Sequence, residues 1–132
     1  MNLRQSPHEF ECKNIHSNRN CISVLFECEI CSHILTDRLF YDLSGLNINK
    51  IHSIRSESHF TTLNLAKNDI RDISFLIDNT YIKHLDISYN NITDFEPLFK
   101  MKALSYLSVS TDQFEKLDRE KLSYANIQIN LI

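Results

Sequence analysis

Leu63, Leu65, Asn68, Ile70, Ile73 and Leu76 are each followed, 22 residues later, by Leu85, Ile87, Asn90, Ile92, Phe95 and Leu98. The same offset reaches back to Tyr41, Leu43, Leu46, Ile48, Ile51 and Ile54. It reaches forward to Leu107, Val109, Asp112, Phe114 and Leu117, and fails at Glu120. Recurrence at one fixed offset, with no insertion, ties the chain to an architecture of stacked supersecondary units. One unit cannot bury its own apolar side, whereas three or more share a core.

Each unit has a direct physical reading. Residues two apart, such as Leu63 and Leu65 or Leu85 and Ile87, share one side of a short strand. Asn68 and Asn90 follow three residues later, where the chain must turn. A buried amide there can bond the free backbone groups of its own unit and of its neighbour, so stacked copies form an asparagine ladder. The apolar positions that follow are three apart, which predicts 3₁₀ turns or very short helices on the return side. Gly45 is the only glycine and Asn occurs 13 times. Asparagine is therefore expected to fill backbone sites with positive φ.

These residues resemble the leucine-rich-repeat family, L-x-x-L-x-L-x-x-N-x-I-x-x-I-x-x-L, and most closely its 22-residue class (internalin-like and phosphatase-regulator-like). The resemblance covers Leu39 to Leu117, about 60% of the chain. It implies an α/β fold: a solenoid with a curved parallel β-sheet on the concave side, short helical or 3₁₀ turns on the convex side, and a cap at each end. Leu46 and Asp112 stand where the ladder asparagine is expected, both in terminal units. The repeats are assigned to residues 39–118 of a single structural domain.

The ends depart from the period. Gln113 to Tyr124 predicts a short amphipathic helix with Asp112 as N-cap. A last strand follows, with either Ile129 and Leu131 or Ile127 and Ile129 as its inward pair, so that residues 112–132 close the C-terminal end. Residues 1–38 form an N-terminal cap. There Ile22, Val24, Phe26, Cys28 and Ile30 alternate with polar residues, as in a half-buried strand. His16–Asn20 is rich in turn formers, and Phe10, Cys12 and Ile15 are expected on the partner strand of a β-hairpin.

Cys12, Cys21, Cys28 and Cys31 all lie in this segment. Three readings stand. A structural zinc site would use the C-x₂-C pair, with His8, His16 or His33 as substitute ligands. Two disulfides would follow the N-terminal caps of extracellular relatives. Free thiols come first, because there is one C-x₂-C pair and not two, and because Cys28 continues a strand pattern. Zinc is thus the one cofactor left open.

The strand register also lists the residues that face outward from the sheet. Phe40, Thr62, His84 and Tyr106 form one column, and Asp42, Asn64, Asp86 and Ser108 the next. Ser44, Ala66, Ser88 and Ser110 follow, then Gly45, Lys67, Tyr89 and Thr111. Phe40, Asp42, Asn64, Lys67, His84, Asp86, Tyr89, Tyr106 and Ser108 are the candidate partner-binding residues, because tyrosine gives large contact area with few rotors to freeze. His84 and Asp86 lie on one face of a strand, about 7 Å apart, with Ser108 one strand over. A catalytic triad needs directed bonds, a pocket and oxyanion donors as well, and no P-loop, dinucleotide or H-E-x-x-H motif occurs. No enzyme is expected.

The function classes narrow accordingly. A formal net charge of −3 with 23% charged residues offers no basic stripe for nucleic acid or an anionic membrane. No apolar run reaches the roughly 20 residues of a spanning helix. The N-terminus shows no secretory pattern, which makes a cytoplasmic product, or an effector delivered without a classical signal, the expectation. The sequon at Asn91-Ile92-Thr93 is then accidental. The expected role is a protein-binding adaptor, inhibitor or effector that uses the concave face. A zinc-stabilised module that binds through the Cys-rich cap is the alternative, and an adaptor in an RNA–protein particle is the third reading.

Overall fold

The computed structural model describes residues 17–18, 21–25, 40–54 and 60–132. Five parallel strands form its main sheet: β3 (Phe40–Asp42), β5 (Thr62–Asn64), β6 (His84–Asp86), β7 (Tyr106–Val109) and β8 (Gln128–Leu131), in that spatial order. Their register is the sequence period itself. Tyr41 lies beside Leu63, Leu63 beside Leu85, Leu85 beside Leu107 and Leu107 beside Ile129. The last of these pairs fixes the register of the terminal strand, the 22-residue offset continuing to Ile129 and Leu131. The inward pair, however, is Ile127 and Ile129: Ile127 is buried, whereas Leu131, on the edge strand, is exposed.

Strand alternation aims Leu63, Leu65, Leu85, Ile87, Leu107 and Val109 into a continuous core, where they are essentially unexposed. Ile48, Ile70, Ile73, Leu76, Ile82, Ile92 and Leu98 complete it from the other side. Short 3₁₀ turns at Ser74–Leu76 and Glu96–Lys100 carry two of the repeats back, as the spacing of three predicts. Asp72 and Asp94, one period apart, open them by accepting the backbone N–H of Ser74 and of Glu96, each at 2.9 Å.

The first repeat differs. Its return segment is a strand, β4 (Lys50–Ile54), and not a turn. It pairs in parallel with β2 (Cys21–Leu25), which pairs antiparallel with β1 (Ser17–Asn18), giving a second sheet ordered β1-β2-β4. β4 packs beside the 3₁₀ turn of the next repeat. β2 coincides with the first half of the expected alternating strand. Its antiparallel partner includes Ser17–Asn18, inside the stretch read as a turn; the expected partner segment is Phe10–Ile15. That segment, with Cys12, Cys28, Cys31 and residues 26–39, lies outside the described residues. The physical reason for the extra strand is the free edge of β2, whose backbone groups are bonded by bringing residues 50–54 alongside.

The asparagine ladder is present and has three rungs. Asn68 donates through Nδ2 to the Leu43 carbonyl at 3.0 Å, while its Oδ1 accepts from Leu46 and Ile48. Asn90 repeats this one period on, donating to Leu65 at 2.9 Å and accepting from Ile70 at 2.9 Å. The third rung is not Asp112, which is exposed, but the buried Gln113. Its Nε2 donates to the Ile87 carbonyl at 2.8 Å, the group that a residue-112 amide would have met. An aspartate carboxylate has no proton to donate to a carbonyl, and glutamine's extra methylene spans the added distance.

Positive φ also falls elsewhere than expected. Gly45, Lys67 and Tyr89, one period apart, all adopt it (φ 65°, 58° and 55°), whereas among the described asparagines only Asn47 and Asn126 do. The ladder asparagines are needed for their amides, and the residue before each asparagine rung, Lys67 or Tyr89, makes the left-handed turn.

After β7 the chain forms two helices where one was expected: α1 (Thr111–Lys116) and α2 (Arg119–Ala125). Ser110, not Asp112, is the N-cap of α1. Its backbone N–H donates to Gln113 Oε1 at 2.9 Å, closing a capping box. Leu117 is extended and breaks the run. Asp118 then caps α2 by accepting from the backbone of Glu120 and Lys121. α2 rests on the Glu96–Lys100 turn, where Lys121 pairs with Glu96.

Candidate functional site: the exposed face of the five-stranded sheet

Because the strands are parallel and in register, side chains that point away from the core line up across them. Phe40, Thr62, His84, Tyr106 and Gln128 form one column, and Asp42, Asn64, Asp86, Ser108 and Asn130 the next. Gln128 and Asn130 extend both columns onto β8. They follow from Tyr106 and Ser108 by the same offset, once the terminal register is fixed.

Six of the nine candidate residues converge on one feature. Phe40, Asn64, His84, Asp86, Tyr106 and Ser108 line an open groove of roughly 280 Å³ across β3, β5, β6 and β7. Its walls are ring faces: Phe40 is 52% exposed, and the His84 and Tyr106 rings lie 5.5 Å apart at a tilt of 53°. Its floor is polar. The buried Ser108 hydroxyl accepts from Asn130 Nδ2 at 3.2 Å.

The acidic column is tied to its own strand ends. Asp86 Oδ1 accepts from the Ser88 amide at 2.9 Å and from its hydroxyl at 2.6 Å. Asp42 does the same with Ser44, at 3.0 and 2.6 Å. The Ser44 hydroxyl and then its amide hold the Asp42 carboxyl below the usual carboxylate range, against a small opposing effect of burial. Asn64 serves the equivalent turn as a neutral group, accepting the Ala66 N–H at 2.9 Å. Asp86 thus meets Ser88 through one oxygen, and the His84 ring lies tilted beside Tyr106.

Three candidates lie elsewhere. Asp42 stands on β3 beside the groove without lining it. Lys67 and Tyr89 sit beyond the ends of β5 and β6, at the left-handed position of the repeat, where Tyr89 is 50% exposed. The column Ser44, Ala66, Ser88 and Ser110, read as outward, is a correction: Ala66, Ser88 and Ser110 are buried. The chain turns inward there, so that these small residues fit beneath the neighbouring strand end, with the Tyr89 amide donating to Ser110 Oγ at 3.4 Å. Of the four cysteines only Cys21 is described, as the first residue of β2.

Among the described residues no group of three or more His, Cys, Asp or Glu is placed to hold a metal ion. No helix among them is long and apolar enough to cross a membrane. Neither a curated protein nor a solved structure matches the chain. A family model described as leucine-rich repeat matches residues 57–73 and 78–94, the segments that carry β5, β6 and the two asparagine rungs. The match thus supports a leucine-rich repeat in two of the repeating units.

Proposed function

We propose that this chain is a protein-binding module, not an enzyme, and that it docks a partner on the exposed face of its five-stranded sheet, as an adaptor, inhibitor or effector. In this reading the sheet is the concave side of a curved, 22-residue-class solenoid. The N-terminal strands and the helices α1 and α2 cover its two ends. One observation carries the proposal: five in-register strands set Phe40, His84 and Tyr106 in one outward column along an open groove. Exposed aromatic rings on a rigid scaffold supply contact area at small entropic cost. A catalytic reading lacks comparable support, since Asp86 is engaged by Ser88 and an open sheet face excludes little water.

The test is affinity capture from native cells with the wild-type chain, a Tyr89→Ala/Tyr106→Ala variant and a variant altered on the opposite side at Lys100→Ala/Lys102→Ala. The sheet-face variant should lose the captured partner with its circular dichroism unchanged, and the other should keep it. The reverse pattern would move the binding surface off the sheet.

A further inference from the structure

The acidic column carries more charge than the fold uses. At the equivalent position of three successive repeats the side-chain oxygen of residue 42, 64 or 86 accepts the backbone N–H two residues on. Asn64 does this as a neutral amide. The negative charges of Asp42 and Asp86 are therefore not required to close the turn. They stand in one column, two strands and about 10 Å apart. Among the described residues Asp86 is the one formally charged residue that lines the groove, and Lys67 and Lys83 do not line it. Directly alongside run Phe40, His84 and Tyr106, with two rings 5.5 Å apart and the third half exposed.

A carboxylate beside aromatic rings on an open surface is complementary to one kind of side chain. A planar cation is drawn to the faces of aromatic rings and, at its edge, to a carboxylate, and a guanidinium meets both demands in one group. Building on the proposal that this face binds a protein, we infer that the groove receives an arginine of the partner. Its guanidinium lies against the Tyr106 ring and pairs with Asp86 on the adjacent strand, and Asp42 draws further basic residues along the column. An acidic partner segment would meet like charge, and a purely apolar one would leave the Asp86 carboxylate without compensation.

The probe is a set of three blocked tripeptides, acetyl-Gly-Arg-Gly-amide and its glutamate and leucine counterparts. Each is titrated against the full chain while the backbone amide signals of His84, Asp86, Tyr106 and Ser108 are followed by NMR. The arginine probe should shift these signals with weak, saturable affinity that falls as salt is raised. Asp86→Asn keeps the turn bond, as Asn64 shows, and should weaken the arginine probe roughly two- to fivefold, as for a solvent-exposed ion pair. Tyr106→Leu should weaken it by a similar factor. Comparable shifts with the glutamate or leucine probe, or an Asp86→Asn variant that binds arginine unchanged, would overturn the cation preference while leaving the face as a binding surface. Silence to all three probes would overturn the preference and remove the support for the face as well.

Discussion

Asn90 is 6% exposed and bonds two repeats together. Its Nδ2 donates to the carbonyls of Leu65 at 2.9 Å, Ile87 at 3.1 Å and Ser88 at 3.3 Å, and its Oδ1 accepts from the Ile70 amide at 2.9 Å. Asn90→Ala leaves the Ile70 N–H facing no acceptor, in a site with little access for water. That alone costs about 1–3 kcal/mol, and the carbonyls stripped of their donor add about 1 kcal/mol more, for a total of about 3 kcal/mol. Asn68 makes the same set of bonds in a half-buried site, where its Oδ1 serves the exposed Leu46 amide. Water can take over part of that work, so Asn68→Ala should cost about half as much. Asn90→Asp is the sharper control. It keeps the acceptor and turns a carboxylate towards the Leu65 and Ile87 carbonyls, so it should be at least as damaging as alanine. In urea unfolding with an m-value near 2 kcal/mol/M, the Asn90→Ala midpoint should fall by roughly 1.5 M. Equal losses at positions 68 and 90, or a loss below about 0.5 kcal/mol at 90, would refute the claim that burial of the rung sets its value.

Other outcomes are measurable. Lys67→Gly removes the cost of holding an L-residue at φ 58°, and should stabilise the chain by about 0.5–1 kcal/mol after the glycine's larger unfolded-state entropy is subtracted. Tyr89→Gly should stabilise similarly while weakening partner capture, separating backbone strain from ring contact. In acid, Asp42 and Asp72 have folded pKa values below the unfolded ones because Ser44 and Ser74 donate to them. Their contribution is present above the unfolded carboxylate value of about 4 and is lost as pH falls through the lower folded values. A thermal-melt series should therefore decline below about pH 4, and less steeply in Asp72→Asn. If the four cysteines are free thiols, titration with a thiol reagent under denaturing conditions gives four per chain and metal analysis gives no zinc. One bound zinc per chain would reverse that reading.

The strand register was legible in the residues because a parallel sheet repeats whatever period its units have, and Leu63, Leu85 and Leu107 report that period without interruption. The first two outward columns were legible for the same reason, since they follow from register alone. What escaped the sequence depends on distance and hydrogen-bond chemistry, not on period. Gln113 is one residue out of step, and only the position of the Ile87 carbonyl reveals it as a rung. Ile51 and Ile54, three apart, fit a 3₁₀ turn, and the pairing with the neighbouring β2 overrides that spacing. The left-handed site was hidden because lysine and tyrosine occupy it. The lone Gly45, carried forward by 22, points to both. Ser88 and Ser110 were misplaced because alternation stops where the strand ends.

The rungs and the strand bonds reach no further than the adjacent repeat: Asn68 to Leu43, Asn90 to Leu65, Gln113 to Ile87. Length is thereby quantised. Excision of residues 66–87 would bring Leu65 next to Ser88 and leave Asn90 facing Leu43, a shorter molecule with every amide still opposite a carbonyl. Excision of 21 residues or 23 would leave each downstream amide opposite the wrong atom. Genetic duplication or loss in such a chain is tolerated in whole units, which gives it a route to longer or shorter binding faces without redesigning the interior.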